Sequence, residues 1–353
     1  MLSLITADNF TAWDDTVKRF QVHDVYYLVS YVEAFRIHGD GTPVLLYYEN
    51  LSGLSGACVL FIRDIYFDPR FKDMIEPEKF FDAATPYGYG GFIFNREPSQ
   101  SEVKSLKKEL IESLSQKGIV SVFFRFHPVL RNSSWSREIA QVVDVGKTVC
   151  MELESPEQIW NDLTSKNRNM IRKAEKAGVV INHGVGIELL REFRAIYNAT
   201  MESDHAAPYY FFEKDFYEAI ERSLHSNYEI FYAEYDGRII SMAIMIFAGE
   251  FLNYHLSGSV REFRNLAPSN LLLYKAALWG CKKGFNSFHL GGGLGAAEDN
   301  LYKFKAGFNR RSDYTFSIGK MILDSSKYEF LVKLREGLSD FVPDSEYFPL
   351  YRQ

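Results

Sequence analysis

Short runs with strand-like alternation of apolar and polar positions are separated along this chain by longer stretches of helical period. Helical pattern covers 13–19 and 30–37, and residues 44–49 and 57–63 read as two arms of a hairpin turning around Gly53 and Gly56. An irregular insert with Pro69 and Pro77 follows, then a Gly-rich turn feeding a strand in the segment TPYGYGGFIF. Ser99 and Glu102 form a capping box for a helix whose Val103, Leu106, Leu110, Ile111 and Leu114 make one apolar stripe. Gly118 stops it, and 119–126 reads as a buried strand. In the second half, Ser155, Pro156 and Gln158 start a helix predicted to run on through a basic stretch to Ala177 and Gly178. Helices are predicted over 188–202 and 216–224, and a strand over 251–259. After the loop holding Pro268, Ser269 is the expected N-cap of a helix carrying Leu271, Leu272, Tyr274, Ala277 and Leu278 and ended by Gly284. A strand over 285–290 runs into Gly291, Gly292 and Gly293. A last strand over 314–321, a helix over 326–338 and an acidic, aromatic tail complete the pattern.

Strand, helix and strand between 251 and 290 make a βαβ unit, so its strands should be parallel with a right-handed crossover. Such units bind ligands beyond the carboxyl ends of their strands, where the triple glycine falls. Lys117, Gly118 and Ser121 recur 166 positions later as Lys283, Gly284 and Ser287 at the same helix-to-strand junction. The hairpin at 45–62 likewise resembles the one at 230–247. A duplicated domain is therefore predicted.

A length of 353 residues suits two domains better than one core. The hydrophobic share of 46% and charged share of 24% are those of an ordinary globular protein. A net charge of −6 argues against non-specific coating of nucleic acid and leaves room for a local basic patch. Cys58, Cys150 and Cys281 are scattered, with no CxxC, so neither a disulfide framework nor a zinc site is expected. No basic n-region precedes an apolar stretch at the start, and no apolar run is long enough to span a bilayer. A cytoplasmic protein without a transmembrane segment is the expectation.

The candidate chemistry gathers around the glycine run. Lys303 and Lys305 stand on what reads as an extended segment, one with no acid between Asn300 and Ser312, and cations there suit a developing oxyanion or a phosphate. On that extended reading the two lysines share a side. Glu298, Asp299 and His289 are candidate bases. Upstream, Lys166, Arg168, Arg172, Lys173 and Lys176 face only Asp162 and Glu175, and Arg168 and Arg172 share a helix face. That stretch is either a solvated surface or a phosphate-binding face. Tyr209 and Tyr210 read as core residues or as hydroxyl donors to a polar substrate. His255 and His289 lack a carboxylate at ligand spacing, and no metal site is expected. No GxSxG, HExxH or P-loop occurs.

The order YHLSGS, Pro-containing loop, apolar helix, SFHLGGG and KFKAGF, with PYGYGG at 86–91 and KNRNMIRKAEKAGV at 166–179, resembles the FemAB/FemX-like aminoacyltransferases. The resemblance implies an α/β protein (α+β, mixed sheets) of two tandem N-acetyltransferase-like domains with a cleft between them. The first would span 1–148, joined by 322–353, and the second, carrying the acyl-transfer site, 149–321. The activity implied is transfer of an aminoacyl group from aminoacyl-tRNA to an amine of a peptidoglycan precursor or other peptide. The alternatives are acyl-CoA-dependent N-acetylation in envelope or polysaccharide biosynthesis and, as a third class, a non-catalytic binding protein. Lys305 would take the oxyanion role. Arg168, Arg172, Lys166, Tyr87, Tyr209, Tyr210, Tyr254, His255, Ser257, Gly291, Gly292, Gly293, Lys303 and Phe304 would bind substrate. No tightly bound cofactor is expected, only aminoacyl-tRNA or acetyl-CoA as co-substrate. The tRNA acceptor end and a peptide acceptor would be the partners of a monomer or weak dimer, cytoplasmic or peripheral at the inner face of the membrane. Two departures stand out. Thr200-Met201 is followed by Glu202 and Ser203 rather than an Arg, and the (Q/R)xxGxG/A pyrophosphate loop is replaced by Arg264-Asn265-Leu266-Ala267-Pro268-Ser269.

Overall fold

The computed structural model describes residues 1–224, 226–338, 341–344 and 346–353, so the tail expected after 338 lies partly outside the described residues. The chain forms two compact units, Met1–Val145 with Phe316–Gln353, and Gly146–Thr315. In chain order the elements up to the first boundary are β1 (Leu2–Thr6), α1 (Phe10–Lys18), α2 (Val29–His38), β2 (Thr42–Glu49), β3 (Ser55–Asp64), β4 (Phe81–Ala84), β5 (Ile93–Phe94), α3 (Gln100–Ser115), β6 (Ile119–Arg125) and α4 (Ser133–Ser136). Next come β7 (Gln141–Glu152), α5 (Pro156–Asp162), α6 (Ser165–Lys176), β8 (Val180–Gly184), α7 (Ile187–Ser203), α8 (Lys214–Ser223), β9 (Tyr228–Tyr235), β10 (Arg238–Ala248) and β11 (Phe251–Ser259). The chain closes with α9 (Pro268–Lys283), β12 (Ser287–Gly291), α10 (Asn300–Ala306), β13 (Tyr314–Ile322) and α11 (Ser325–Glu336).

In the first unit the strand order is β1-β2-β3-β4-β6-β13, and in the second it is β8-β9-β10-β11-β12-β7. One pair is parallel in each, β4 with β6 and β11 with β12, at the same place in the order. The other neighbours are antiparallel. The repeat legible in the hairpins is thus a repeat of topology. Gly118 and Gly284 occupy equivalent junctions, each between a crossover helix and its returning strand, with φ of +74° and +87°. Only glycine adopts that left-handed region without strain.

Local chemistry explains the elements. Ser99 and Glu102 close the expected capping box at α3. Its Val103, Leu106, Leu110 and Leu114 pack on Leu46, Cys58, Leu60 and Val122 of the sheet. In the second unit Leu271, Leu272, Leu273, Ala276 and Ala277 of α9 pack with Ile171 and Ala174 of α6 over Met245, Leu252, Phe288 and Leu290. Each fully buried large aliphatic side chain contributes ~1.5–3 kcal/mol. Asp82, fully buried, is held by Arg63 at 2.8 Å and by Arg352, whose guanidinium also meets Asp68 at 3.0 Å. This ties residue 352 into the first unit.

Four expectations are corrected. The strand that precedes α3 in the sheet is β4, ahead of PYGYGG, and β5 beyond it is only a two-residue strand on β3. The basic helix is two helices, because Leu163 turns extended and Thr164 caps α6 by accepting from the Asn167 amide. The N-cap of α9 is Ala267, not Ser269: Pro268 starts the helix without needing a donor, and Ser269 instead bonds the Ser241 hydroxyl at 3.1 Å. Residues 300–306 are helical rather than extended, capped by Asp299. Among the described residues no helix is long and apolar enough to cross a membrane.

Candidate active site

β11 and β12 pair over three positions only, Phe251 with Ser287, Leu252 with Phe288 and Asn253 with His289. Just past them β11 bulges: Met245 faces Tyr254 and Ile244 faces Leu256, which leaves His255 as the extra residue. β12 shifts register against β7 between His289 and Gly291, where Gly291 takes φ +77°. The two parallel strands therefore part just beyond Asn253 and His289.

Lys305 enters that parting from α10. Its Nζ donates to the Gly292 carbonyl at 2.7 Å and lies 5.8 Å from the centroid of the Tyr254 ring. The side chain is only 8% exposed. Burial pushes its ammonium down to about 8, with Asp299 opposing the shift. The Tyr254 hydroxyl donates to Ser257 Oγ at 2.6 Å, and burial raises the phenol. Tyr254, Ser257, Gly292 and Lys305 thus form one cluster.

Gly292 and Gly293 pack closely against the protein's own backbone. A Cβ on Gly292 would lie 2.9 Å from the Lys147 carbonyl, and one on Gly293 would lie 2.1 Å from the Ala297 carbonyl. Asp299 accepts from the amides of Tyr302 at 2.8 Å and Leu294 at 3.1 Å, and these bonds hold its carboxyl below the usual range. It is a cap and a charge partner for Lys305, a poor base. Glu298 is exposed. His289 is buried, and alternation along β12 puts it on the face opposite Phe288 and Leu290, which join the α9 core. Desolvation pushes the His255 imidazole down to about 3, so it is neutral. Lys303 is exposed, on the other side of α10 from Lys305, and Phe304 packs edge-on against Phe308 at 5.4 Å.

The amino end of α6 is tied to α10, because the Thr164 amide donates to the Gly307 carbonyl at 3.0 Å. Arg168 bonds the Trp160 carbonyl and Ser165 Oγ, both at 3.3 Å, and the Arg172 guanidinium stacks 5.1 Å over the Trp160 ring. Lys166 is exposed. Tyr209 and Tyr210 meet edge to face on a short turn after α7, 41% and 38% exposed. Tyr87 belongs to the first unit, stacked on Phe35 at 5.3 Å. Among the described residues no group of three or more His, Cys, Asp or Glu side chains could hold a metal. Sequence reasoning missed Asn167, which is buried on α6 and accepts from Asn270 Nδ2 of α9 at 2.6 Å, and whose own Nδ2 has no partner among the described residues. Its one signal was an uncharged polar residue inside a run of cations.

Residues 164–306, which lie within the second unit, match the acetyltransferase (GNAT) domain family. The whole chain has the fold of FemX, whose crystal structure is 15% identical, covers 94% of this chain and 99% of its own, and superposes with a TM-score of 0.69. The C-terminal domain (DUF2156) of a putative lysylphosphatidylglycerol synthetase from Agrobacterium fabrum is similar at 14% identity, 93% and 95% coverage and a TM-score of 0.54. A conserved Bacteroides thetaiotaomicron protein of unknown function follows at 10% identity, 91% and 100% coverage and a TM-score of 0.58. No curated protein sequence matches this chain significantly.

Proposed function

We propose that this protein is an N-acyltransferase of FemAB type that moves an aminoacyl group from aminoacyl-tRNA to an amine of a cell-wall peptide precursor or another peptide. The observation that carries this reading is the buried ammonium of Lys305 at the parting of β11 and β12. Attack of an amine on the aminoacyl ester forms a C–N bond and places negative charge on the carbonyl oxygen. Collapse breaks the C–O bond to the ribose, and the amine's proton is lost as the ribose hydroxyl is restored. A preorganised cation in a desolvated site lowers the barrier to the charged intermediate. Glu298 is the candidate base whose carboxylate is exposed and not engaged in capping.

The loop before α9 supports an ester donor over coenzyme A. A pyrophosphate cradle needs outward backbone N–H groups, but the amide of Ala267 is turned to the Arg264 carbonyl, those of Asn270 and Leu271 are turned to the Ala267 carbonyl, and Pro268 has none. Arg168 and Arg172, on a helix whose amino end is tied to α10, suit the phosphates of a tRNA acceptor end. Such a donor places the reaction in the cytoplasm or at the inner face of the membrane. The second reading, an acyl-CoA donor, is favoured by the match to the acetyltransferase domain family. Donor consumption decides between them. The purified protein is incubated with charged bulk tRNA or with acetyl-CoA, each with a panel of amine-bearing peptides. Peptide-dependent deacylation of tRNA supports the proposal, and thiol release from acetyl-CoA alone overturns it.

A further inference from the structure

A groove of about 420 Å³ runs between α7 and α8, with Leu190, Arg191, Arg194, Asn198, Lys214 and Tyr217 among its lining residues. That volume is within the range of small-molecule sites. Three polar atoms there are buried without a hydrogen-bond partner among the described residues: Arg194 Nε, Asn198 Oδ1 and the Tyr217 hydroxyl. Tyr217 is only 2% exposed, so its hydroxyl cannot simply turn to bulk water. Buried polar groups in folded proteins are nearly always paired, and three orphans on residues that line one groove mark a site built for something polar.

We propose that this groove binds the carboxylate of an acylated amino acid, a group shared by a peptide C-terminus and a free N-acyl amino acid. The Arg194 Nε–H and the Tyr217 O–H are donors and call for an oxygen acceptor. The Asn198 Oδ1 is an acceptor and calls for a donor, such as the N–H of an amide. Arg191, Arg194 and Lys214 at the groove favour an anionic group over a free amine. These three cations pair outward with Glu188, Glu213 and Glu218 at 2.5, 2.6 and 2.8 Å. Exposed pairs of this kind are weak, so a ligand carboxylate exchanges with them readily. Burial raises the Tyr217 phenol well above its ordinary range, which keeps it a donor across the working pH range. Leu190 supplies an apolar wall for a small side chain. The site stands apart from the acyl-transfer reading and is tested without any turnover.

The test is calorimetric titration of the full chain with N-acetylalanine, N-acetyltrialanine, the methylamide of each, acetate and inorganic phosphate. The two acylated carboxylates should bind, with the methylamides, acetate and phosphate weaker by about tenfold or more, the worth of one hydrogen bond to a charged group. Tighter binding of N-acetyltrialanine identifies a peptide terminus as the natural source, and equal binding identifies the free acyl amino acid. Tyr217→Phe should weaken binding by about tenfold without lowering the thermal midpoint of the unliganded protein, because its hydroxyl has no partner to lose. Arg191→Gln, at the exposed mouth, provides a second variant that does not disturb the core and should weaken the carboxylates but not the methylamides. Binding that is indifferent to the carboxylate, phosphate binding as tightly as N-acetylalanine, or unchanged affinity in both variants would overturn the proposal. So would a lowered midpoint for unliganded Tyr217→Phe.

Discussion

Replacing Lys305 by Met separates what the cation does for chemistry from what it does for folding. The variant keeps most of the apolar stem and removes the charge. On an extended segment this lysine would be exposed and its loss neutral; the structure buries it, which changes the expectation. Its pKa stands at about 8 against an ordinary 10.5, a difference worth ~3 kcal/mol at ~1.4 kcal/mol per unit, by which folding disfavours the charged form. The bond to the Gly292 carbonyl returns ~1.5–3 kcal/mol. The two nearly offset, so Lys305→Met should unfold at the same temperature as wild type or slightly higher at pH 7. Linkage gives a second signature. The folded pKa lies below the unfolded one, so between pH 8 and 10.5 the unfolded state holds more protons. Wild-type stability should therefore rise with pH across that window, and the Met variant should lose that rise. Turnover should fall ~10²–10³-fold, the usual cost of one oxyanion donor. Wild-type activity should decline as pH rises through about 8, because the cation is the working form. Lys303→Met, on the exposed side of α10, is the control and should be mild. Near-normal turnover in Lys305→Met, or wild-type activity that climbs through pH 8 as for a neutral amine base, would refute the assignment.

Other outcomes follow from the same geometry. Asp299→Asn removes the charge that supports the Lys305 ammonium, so the decline in a pH–rate profile should move below pH 8. Gly293→Ala would place a methyl 2.3 Å from Asp299 Oδ1 and 2.1 Å from the Ala297 carbonyl, so thermal melts should show a loss of ~1–3 kcal/mol together with reduced activity. Arg168→Gln and Arg172→Gln should each weaken tRNA binding and make the slope of log K against log salt shallower by ~0.7–0.9 for each phosphate no longer neutralised. Unchanged binding at low and high salt would make α6 an ordinary solvated helix.

What was legible in the sequence was what short-range pattern encodes. The capping box at Ser99, the left-handed glycines at 118 and 284 and the parallel pair around α9 all follow from local chemistry. The repeat was visible because its hairpins kept their alternation. The short strands β1, β4 and β8 were not, since five residues or fewer carry too little period to separate them from loop. Near the site, KFKAGF drew attention to a lysine that the structure buries, but its surroundings were misjudged. Asp299 looked like a base, and only tertiary structure shows two backbone amides turned into its carboxylate. The depth of Lys305, the partner of Asn167 and the break at Leu163 likewise depend on interactions between residues far apart in the chain.

The most direct test of an acyl-transfer centre at Lys305 watches that lysine while a donor mimic binds. The protein is labelled at lysine side chains, the Lys305 signal is assigned by its absence in Lys305→Met, and an amide-linked aminoacyl-adenosine is titrated in, with adenosine alone as reference. The Lys305 resonance should shift saturably with the aminoacyl compound and not with adenosine, while Lys303 stays in place. Saturable binding that leaves the Lys305 resonance unmoved would contradict an acyl-transfer role for this lysine.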